Sequence, residues 1–357
     1  MGAGGRMFAE EESRPLSRYS TKGNGRKPPF TLGDLKRAIP PHCFERSALR
    51  SFSHLARDLI LSATLLYLAI SFIPLLPSRL QIVAWPVYWA AQGACGHNAF
   101  SPYALLDDIV GMVLHSALLI PYFSWKYSHR HHHTNTNNID LDEVWVPRPS
   151  QPVPPGQVPE QPLGRVRWLV GRAHGRWPLY LAFNIESRFY DRFASHYDPY
   201  GIYNDRERTQ VIISDLGVLA TVALLLKLCA AYSPAAVVGL YVLPWMVANG
   251  FIVVTSYLQH THPSLPHYDS SEWEWFKGAL ATVDRDFGPV LNKVLHNFTE
   301  THYYQFDRTP VLKAMWREAN ECLFVQPDQG SDKSGVFWYS NKLCTGMNSE
   351  RCPSARW

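Results

Sequence analysis

Three long uncharged or nearly uncharged apolar runs constrain this chain most. Leu59–Pro77 is nineteen residues without a charge, and Val211–Tyr232 and Ala235–Leu258 follow far downstream, joined by Ser233-Pro234. At about 1.5 Å per helical residue, a run of about twenty residues matches the roughly 30 Å hydrocarbon core of a bilayer. A backbone in that core must satisfy its own hydrogen bonds, so the runs read as transmembrane helices. Gln81–Cys95 is a fourth, shorter run. Its fifteen residues reach only about 22 Å, and Pro86 and Gln92 weaken it further. Leu105–Phe123 is apolar but carries Asp107, Asp108 and His115, and reads as an interfacial or buried helix.

The remaining sequence is polar. Residues 1–50 hold Arg18, Lys22, Arg26 and Lys27 and no apolar run, which predicts a cytosolic N-terminus and no cleavable leader. Seven prolines between Pro147 and Pro162 rule out a regular helix and mark a linker or surface loop. Asp215 and Lys227 sit inside an apolar run, facing the bundle or snorkelling. A net charge of +4, from 34 basic and 30 acidic residues, leaves no nucleic-acid footprint. The six cysteines form no CxxC pair, so reduced cytosol-facing thiols are expected. The expected fold class is an all-α polytopic membrane protein, with two transmembrane hairpins under a cytosolic helical cap. The spans fall near 59–77, 81–95 (shortened), 211–232 and 235–258.

Chemistry concentrates in Ser128-His129-Arg130-His131-His132-His133-Thr134. Positions i, i+3 and i+4 share one helix face, so His129, His132 and His133 converge while Arg130 and His131 turn away. Neutral imidazole suits iron, copper, nickel and zinc. A solvated His-rich tract that binds stray metal is the plainer alternative. His260 and His262 follow the last apolar run.

The stretch Pro121-Tyr122-Phe123-Ser124-Trp125-Lys126-Tyr127-Ser128 through the histidines to Asp142-Glu143-Val144 resembles the second histidine box of the plant endoplasmic-reticulum oleate (Δ12, omega-6) acyl-lipid desaturases. Matching blocks run along nearly the whole chain. They include Pro40-Pro41-His42-Cys43-Phe44, Trp177-Pro178-Leu179-Tyr180, Tyr203-Asn204-Asp205-Arg206-Glu207-Arg208, Gln259-His260-Thr261-His262-Pro263 and Thr282-Val283-Asp284-Arg285-Asp286.

The resemblance implies a membrane enzyme with two non-haem irons held by three histidine boxes at the cytosolic face. It implies a phospholipid-bound oleoyl substrate, cytochrome b5 as electron donor, an endoplasmic-reticulum membrane location and assembly with itself or other desaturases. It divides the chain into a cytosolic segment 1–50, a desaturase domain 51–343 and an extra tail 344–357. The iron-ligand positions it assigns are His97, His129, His132, His133, His260 and His302.

The chain departs from that pattern twice. Gly93-Ala94-Cys95-Gly96-His97-Asn98 retains one histidine of the family's H-E-C-G-H-H, and about three helical turns before it are absent. After Glu300-Thr301-His302 the chain passes directly to Tyr303-Tyr304-Gln305, without the closing histidines of H-x-x-H-H. These losses give an incomplete ligand set. They predict poor iron loading and keep two rivals in view: a catalytically inactive membrane partner of an intact paralogue, and a metal transporter with a His-rich cytosolic loop. Charged residues are few in the spans, against the transporter.

Overall fold

The computed structural model describes residues 30–45, 47–93, 103–147, 162–288, 292, 306–328 and 335–341. It is mostly helical. Helix α1 (Leu32–Ala38) starts at a capping box in which Thr31 and Asp34 bond to each other's backbone N–H. Helix α2 (Ala48–Phe72) is capped by Ser47 and tightens into a 3-10 turn at Ile73–Leu75, where Pro74 ends it. Helix α3 follows at Ser78–Gly93, α4 at Ala104–Ala117, α5 at Tyr122–Asn135, α6 at Pro162–Phe183 and α7 at Arg208–Ala231. Helix α8 runs over Pro234–His260, beginning at Ser233, whose hydroxyl accepts from Ala236 N–H at 3.1 Å.

Three of these helices, Ala48–Leu75, Arg208–Ala231 and Pro234–His260, are long and apolar enough to cross a membrane. Their outward faces are uncovered: Ile60 is 67 % exposed and Leu226 65 %. Such surfaces suit lipid and not water. Helices α4 and α5 bend by 107° at the break between them, so they form one crossing only if counted as a broken span.

Two breaks in the helices are satisfied by aromatic donors. Within α8 the stretch Val238–Val242 is π-helical, which frees carbonyls from the regular ladder. The carbonyl of Gly239 accepts from Trp89 Nε1 at 2.9 Å and that of Leu240 from Tyr88 hydroxyl at 3.1 Å, which ties α3 to α8. At the α4–α5 elbow, the carbonyls of Ala117, Leu118 and Leu119 accept in turn from Tyr241, Trp245 and Tyr197, at 2.8, 2.7 and 2.8 Å. Orphan carbonyls at a helix end need such partners, most of all beside an apolar slab.

The polar C-terminal part departs from the all-α expectation. It carries a three-stranded antiparallel sheet in the order β1 (Pro266–Tyr268), β5 (Val336–Ser340), β4 (Phe324–Pro327), and a parallel pair, β2 (Asp284–Arg285) with β3 (Phe306–Asp307). Helices α9 (Trp275–Leu280) and α10 (Val311–Glu321) complete it. Tyr268, Ala281, Val336 and Trp338 form its small core, with Trp273 packed against them. Strand β1 also grips the loop after α5: Ile139 N–H donates to Tyr268 carbonyl at 2.9 Å, and Tyr268 N–H to Asn137 carbonyl at 3.0 Å.

Candidate metal centre

Helix α5, outside the three long apolar helices, presents the histidines as the i, i+3, i+4 pattern requires. The imidazoles gather as two pairs. Nε2 of His129 and Nε2 of His133 are 2.9 Å apart, and Nε2 of His132 lies 3.3 Å from Nε2 of His260, at the last residue of α8. The ring centres of His132 and His133 are 5.4 Å apart, those of His129 and His132 5.9 Å. Two imidazoles on one ion, with bonds of about 2.1 Å, stand roughly 3 Å apart. Each pair therefore fits as part of the donor set of one ion, and the two pairs fit two neighbouring ions. Neither pair is a full donor set. Among the described residues, the only three donors within 4.8 Å of one another are His262, Asp307 and Glu318. Both of those carboxylates already accept from the guanidinium groups of Arg285 and Arg317, so the positive charge an ion would bring is already in place.

The surroundings hold these imidazoles in the neutral, oriented form that a metal ligand needs. Asp142, buried, receives Nδ1 of His132 at 2.6 Å, which leaves the Nε2 lone pair of His132 facing His260. The Asp142 carboxylate is held in turn by Asn137 N–H at 2.8 Å and Val144 N–H at 3.2 Å. Burial pushes the Asp142 carboxyl up, and the His132 contact opposes it. Burial, then the neighbouring His133 and His132, lowers His129 to about 2; burial and His132 lower His133 as well. Both rings are thereby held neutral, the form that binds metal. The end of α5 is clamped from α9 and the turn before it. Trp275 Nε1 donates to His133 carbonyl at 3.1 Å and Trp273 Nε1 to Thr136 carbonyl at 3.0 Å. Gly278 permits this approach, because a Cβ there would collide with the Thr136 carbonyl.

His131 turns away, as expected, and lies 3.9 Å from Glu143. That buried carboxylate also accepts from Tyr190 hydroxyl at 2.7 Å. His115 bonds Gly111 carbonyl within α4 at 2.8 Å, a satisfied helix histidine. His97 and His302 lie outside the described residues. His196 is buried, and its Nε2 lies 3.3 Å from the Ser128 hydroxyl oxygen.

A cavity of about 350 Å³ adjoins the four imidazoles. Trp125, Trp145, Trp177, Trp275, Ile185 and Val253 supply much of its apolar wall. An apolar wall facing a cluster of imidazoles suits an apolar ligand held beside polar groups.

The model of the family described as Fatty acid desaturase matches residues 79–305, and a domain of unknown function matches residues 9–66. The chain belongs to the fatty acid desaturase family, in the branch of the plant Δ12 acyl-lipid desaturases. It is 50% identical to a Delta(12)-acyl-lipid-desaturase of Punica granatum and 50% identical to a Delta(12)-fatty-acid desaturase of Arabidopsis thaliana, each over 96% of this chain and 100% of the relative. An oleoyl-12-hydroxylase of Ricinus communis is also 50% identical, over 88% of this chain and 92% of its own length. The Arabidopsis alignment covers 384 positions, whereas 96% of 357 residues is about 343, so roughly 41 aligned positions have no residue here.

Proposed function

We propose that the site serves the reaction named for its relatives, insertion of a Δ12 double bond into oleoyl chains of membrane lipid. The observation that carries this reading is the meeting of four imidazoles at one wall of a tryptophan-lined apolar cavity. Two non-haem irons, when bound, would supply the oxidising power that removal of an unactivated hydrogen demands and no side chain has. His129 and His133 would hold one and His132 and His260 the other, with His97 and His302 as further ligands by family resemblance. Asp142 keeps His132 in the tautomer that offers Nε2, and the cavity wall excludes water around the alkyl chain. The proposal includes cytochrome b5 as electron donor, a phospholipid-bound oleoyl substrate, assembly with other desaturase chains, and two transmembrane hairpins with the N-terminus and the cap on the cytosolic side of the endoplasmic reticulum. The domain limits follow: 1–50, 51–343 and the tail 344–357.

The missing positions make the ligand set incomplete, which separates the design of the site from the output of this chain. Expression in yeast lacking a Δ12 desaturase tests both. The chain as it stands should make little linoleate. A version with both absent stretches restored from the relatives should make it, and should lose it on His132→Ala. No linoleate from the restored chain refutes the function. Equal linoleate from both versions refutes the ligand shortfall.

A further inference from the structure

Helix α8 ends at His260, and one buried side chain bridges that end. Arg285 on β2 is 1 % exposed. Its Nε donates to Leu258 carbonyl at 2.7 Å and one terminal nitrogen donates to Thr261 carbonyl at 3.2 Å, so the guanidinium spans the residues on either side of His260. The residue just before the strand adds a third tie, Val283 N–H to Gln259 carbonyl at 2.9 Å. The far side of the guanidinium meets Asp307 Oδ2 at 2.6 Å and Glu318 Oε1 at 2.5 Å. Those carboxylates are shared with Arg317, at 2.6 Å to Asp307 and 2.7 Å to Glu318. Two cations face two anions, and the cluster is neutral and saturated.

We propose that Arg285 is a positioning residue for His260. A helix ending in the C-terminal direction leaves carbonyls unsatisfied and carries partial negative charge. A guanidinium meets both needs, and its planar fork reaches two carbonyls and two carboxylates at once, which the point charge of lysine cannot do. The anchor is rigid because its carboxylates come from two other elements, β3 and α10. It therefore sets where the His260 ring stands relative to Nε2 of His132. The inference rests on His260 acting as a ligand, but its test includes a measurement made without metal.

The test uses the purified full chain. Without metal, diethyl pyrocarbonate labelling of His260, read by peptide mass, should rise at least tenfold in Arg285→Gln, with labelling of exposed His42 unchanged. In a second arm, Co(II) affinity should fall 10- to 100-fold in Arg285→Gln, the usual consequence of losing a group that orients a metal ligand. In the His260→Ala background the same substitution should change Co(II) affinity less than twofold. Unchanged His260 labelling overturns the proposal, as does an equal loss of Co(II) affinity with and without His260. If the unaltered chain binds no Co(II), as its incomplete donor set allows, the labelling arm alone decides the role of Arg285, and the restored chain tests the ligand reading. If Arg285→Gln does not fold, Asp307→Asn, which loosens the guanidinium without removing it, should raise His260 labelling by a smaller factor. Unchanged labelling in that variant also overturns the proposal.

Discussion

Asp142→Asn isolates what the carboxylate under His132 contributes. In the native chain its two oxygens accept three bonds: from His132 Nδ1 at 2.6 Å, Asn137 N–H at 2.8 Å and Val144 N–H at 3.2 Å. An amide has one oxygen and one NH2. If its oxygen keeps His132 and Val144, the NH2 faces the Asn137 N–H, donor against donor. If the oxygen turns to Asn137, the His132 ring loses its acceptor and is free to switch tautomer. The site is buried, so the first choice leaves an unsatisfied group at about 1–3 kcal/mol of stability. The second weakens metal binding by roughly 10- to 100-fold, or about 1.4–2.7 kcal/mol. Co(II) titration and thermal melting of the purified full chain read the two costs. One of them must appear. A variant that melts within 1 °C of the native chain and binds Co(II) within about twofold would show that Asp142 neither orients His132 nor holds the loop, and the account of the site would fall.

Three further outcomes follow from the same geometry. Purified chain should carry well under two irons, because the described imidazoles form only two half-sets; metal analysis close to two per chain refutes this. Stability should fall as pH drops from 6.5 towards 4. Burial lowers His196 and His262 to about 4 from 6.5, so the unfolded chain takes up protons first, at roughly 3 kcal/mol for fully buried His196 and less for the partly exposed His262. Below that range Asp307 adds a further loss. Burial pushes its carboxyl up, but bonds from Thr309 and Arg317 and the Arg285 charge outweigh it and hold it well below the usual range, so its contribution is present above about 4 and lost in stronger acid. A melting temperature flat between pH 6.5 and 4 counts against the contribution of the two histidines, and one flat below pH 4 against that of Asp307. Finally, a glycosylation acceptor placed near Ser150 should be modified on part of the population. Helix α3 has 16 residues and reaches about 24 Å, some 6 Å short of the core, so its return crossing should be incomplete. Complete absence of glycan, with a lumenal control site modified, refutes that reading.

The sequence made legible what local periodicity determines. The three long apolar runs became the three long apolar helices, and His129, His132 and His133 converged because the 3.6-residue repeat leaves them no other choice. The features it hid depend on residues distant in the chain. The π stretch in α8 has no local signature, since its carbonyls are answered by Tyr88 and Trp89 about 150 positions earlier. The strands are three, two, two, four and five residues long, too short to show alternation, and β1 pairs with β5 some seventy residues away. In the sequence Asp142 is one of three acidic residues, with Asp140 and Glu143, and nothing local singles it out. Its role depends on a turn in which Asn137 takes a φ of 60°, a conformation a general residue avoids and asparagine tolerates.

The same distinction bears on the missing segments. Losing whole helical turns from a solvent-exposed loop changes little, because loop closure depends weakly on length. On the proposed reading, losing them beside α3 shortens a crossing and losing them after His302 removes ligand side chains, yet neither change touches the contacts among the four described imidazoles. His132 and His260 are set by Asp142 and Arg285, and the α4–α5 elbow is set by Tyr197, Tyr241 and Trp245, all from intact stretches. If the site holds two irons as proposed, the donors present can therefore stay organised in a chain that lacks the rest. On that argument, restoring the absent stretches should complete a centre already in place, without any repacking of α5 against α8.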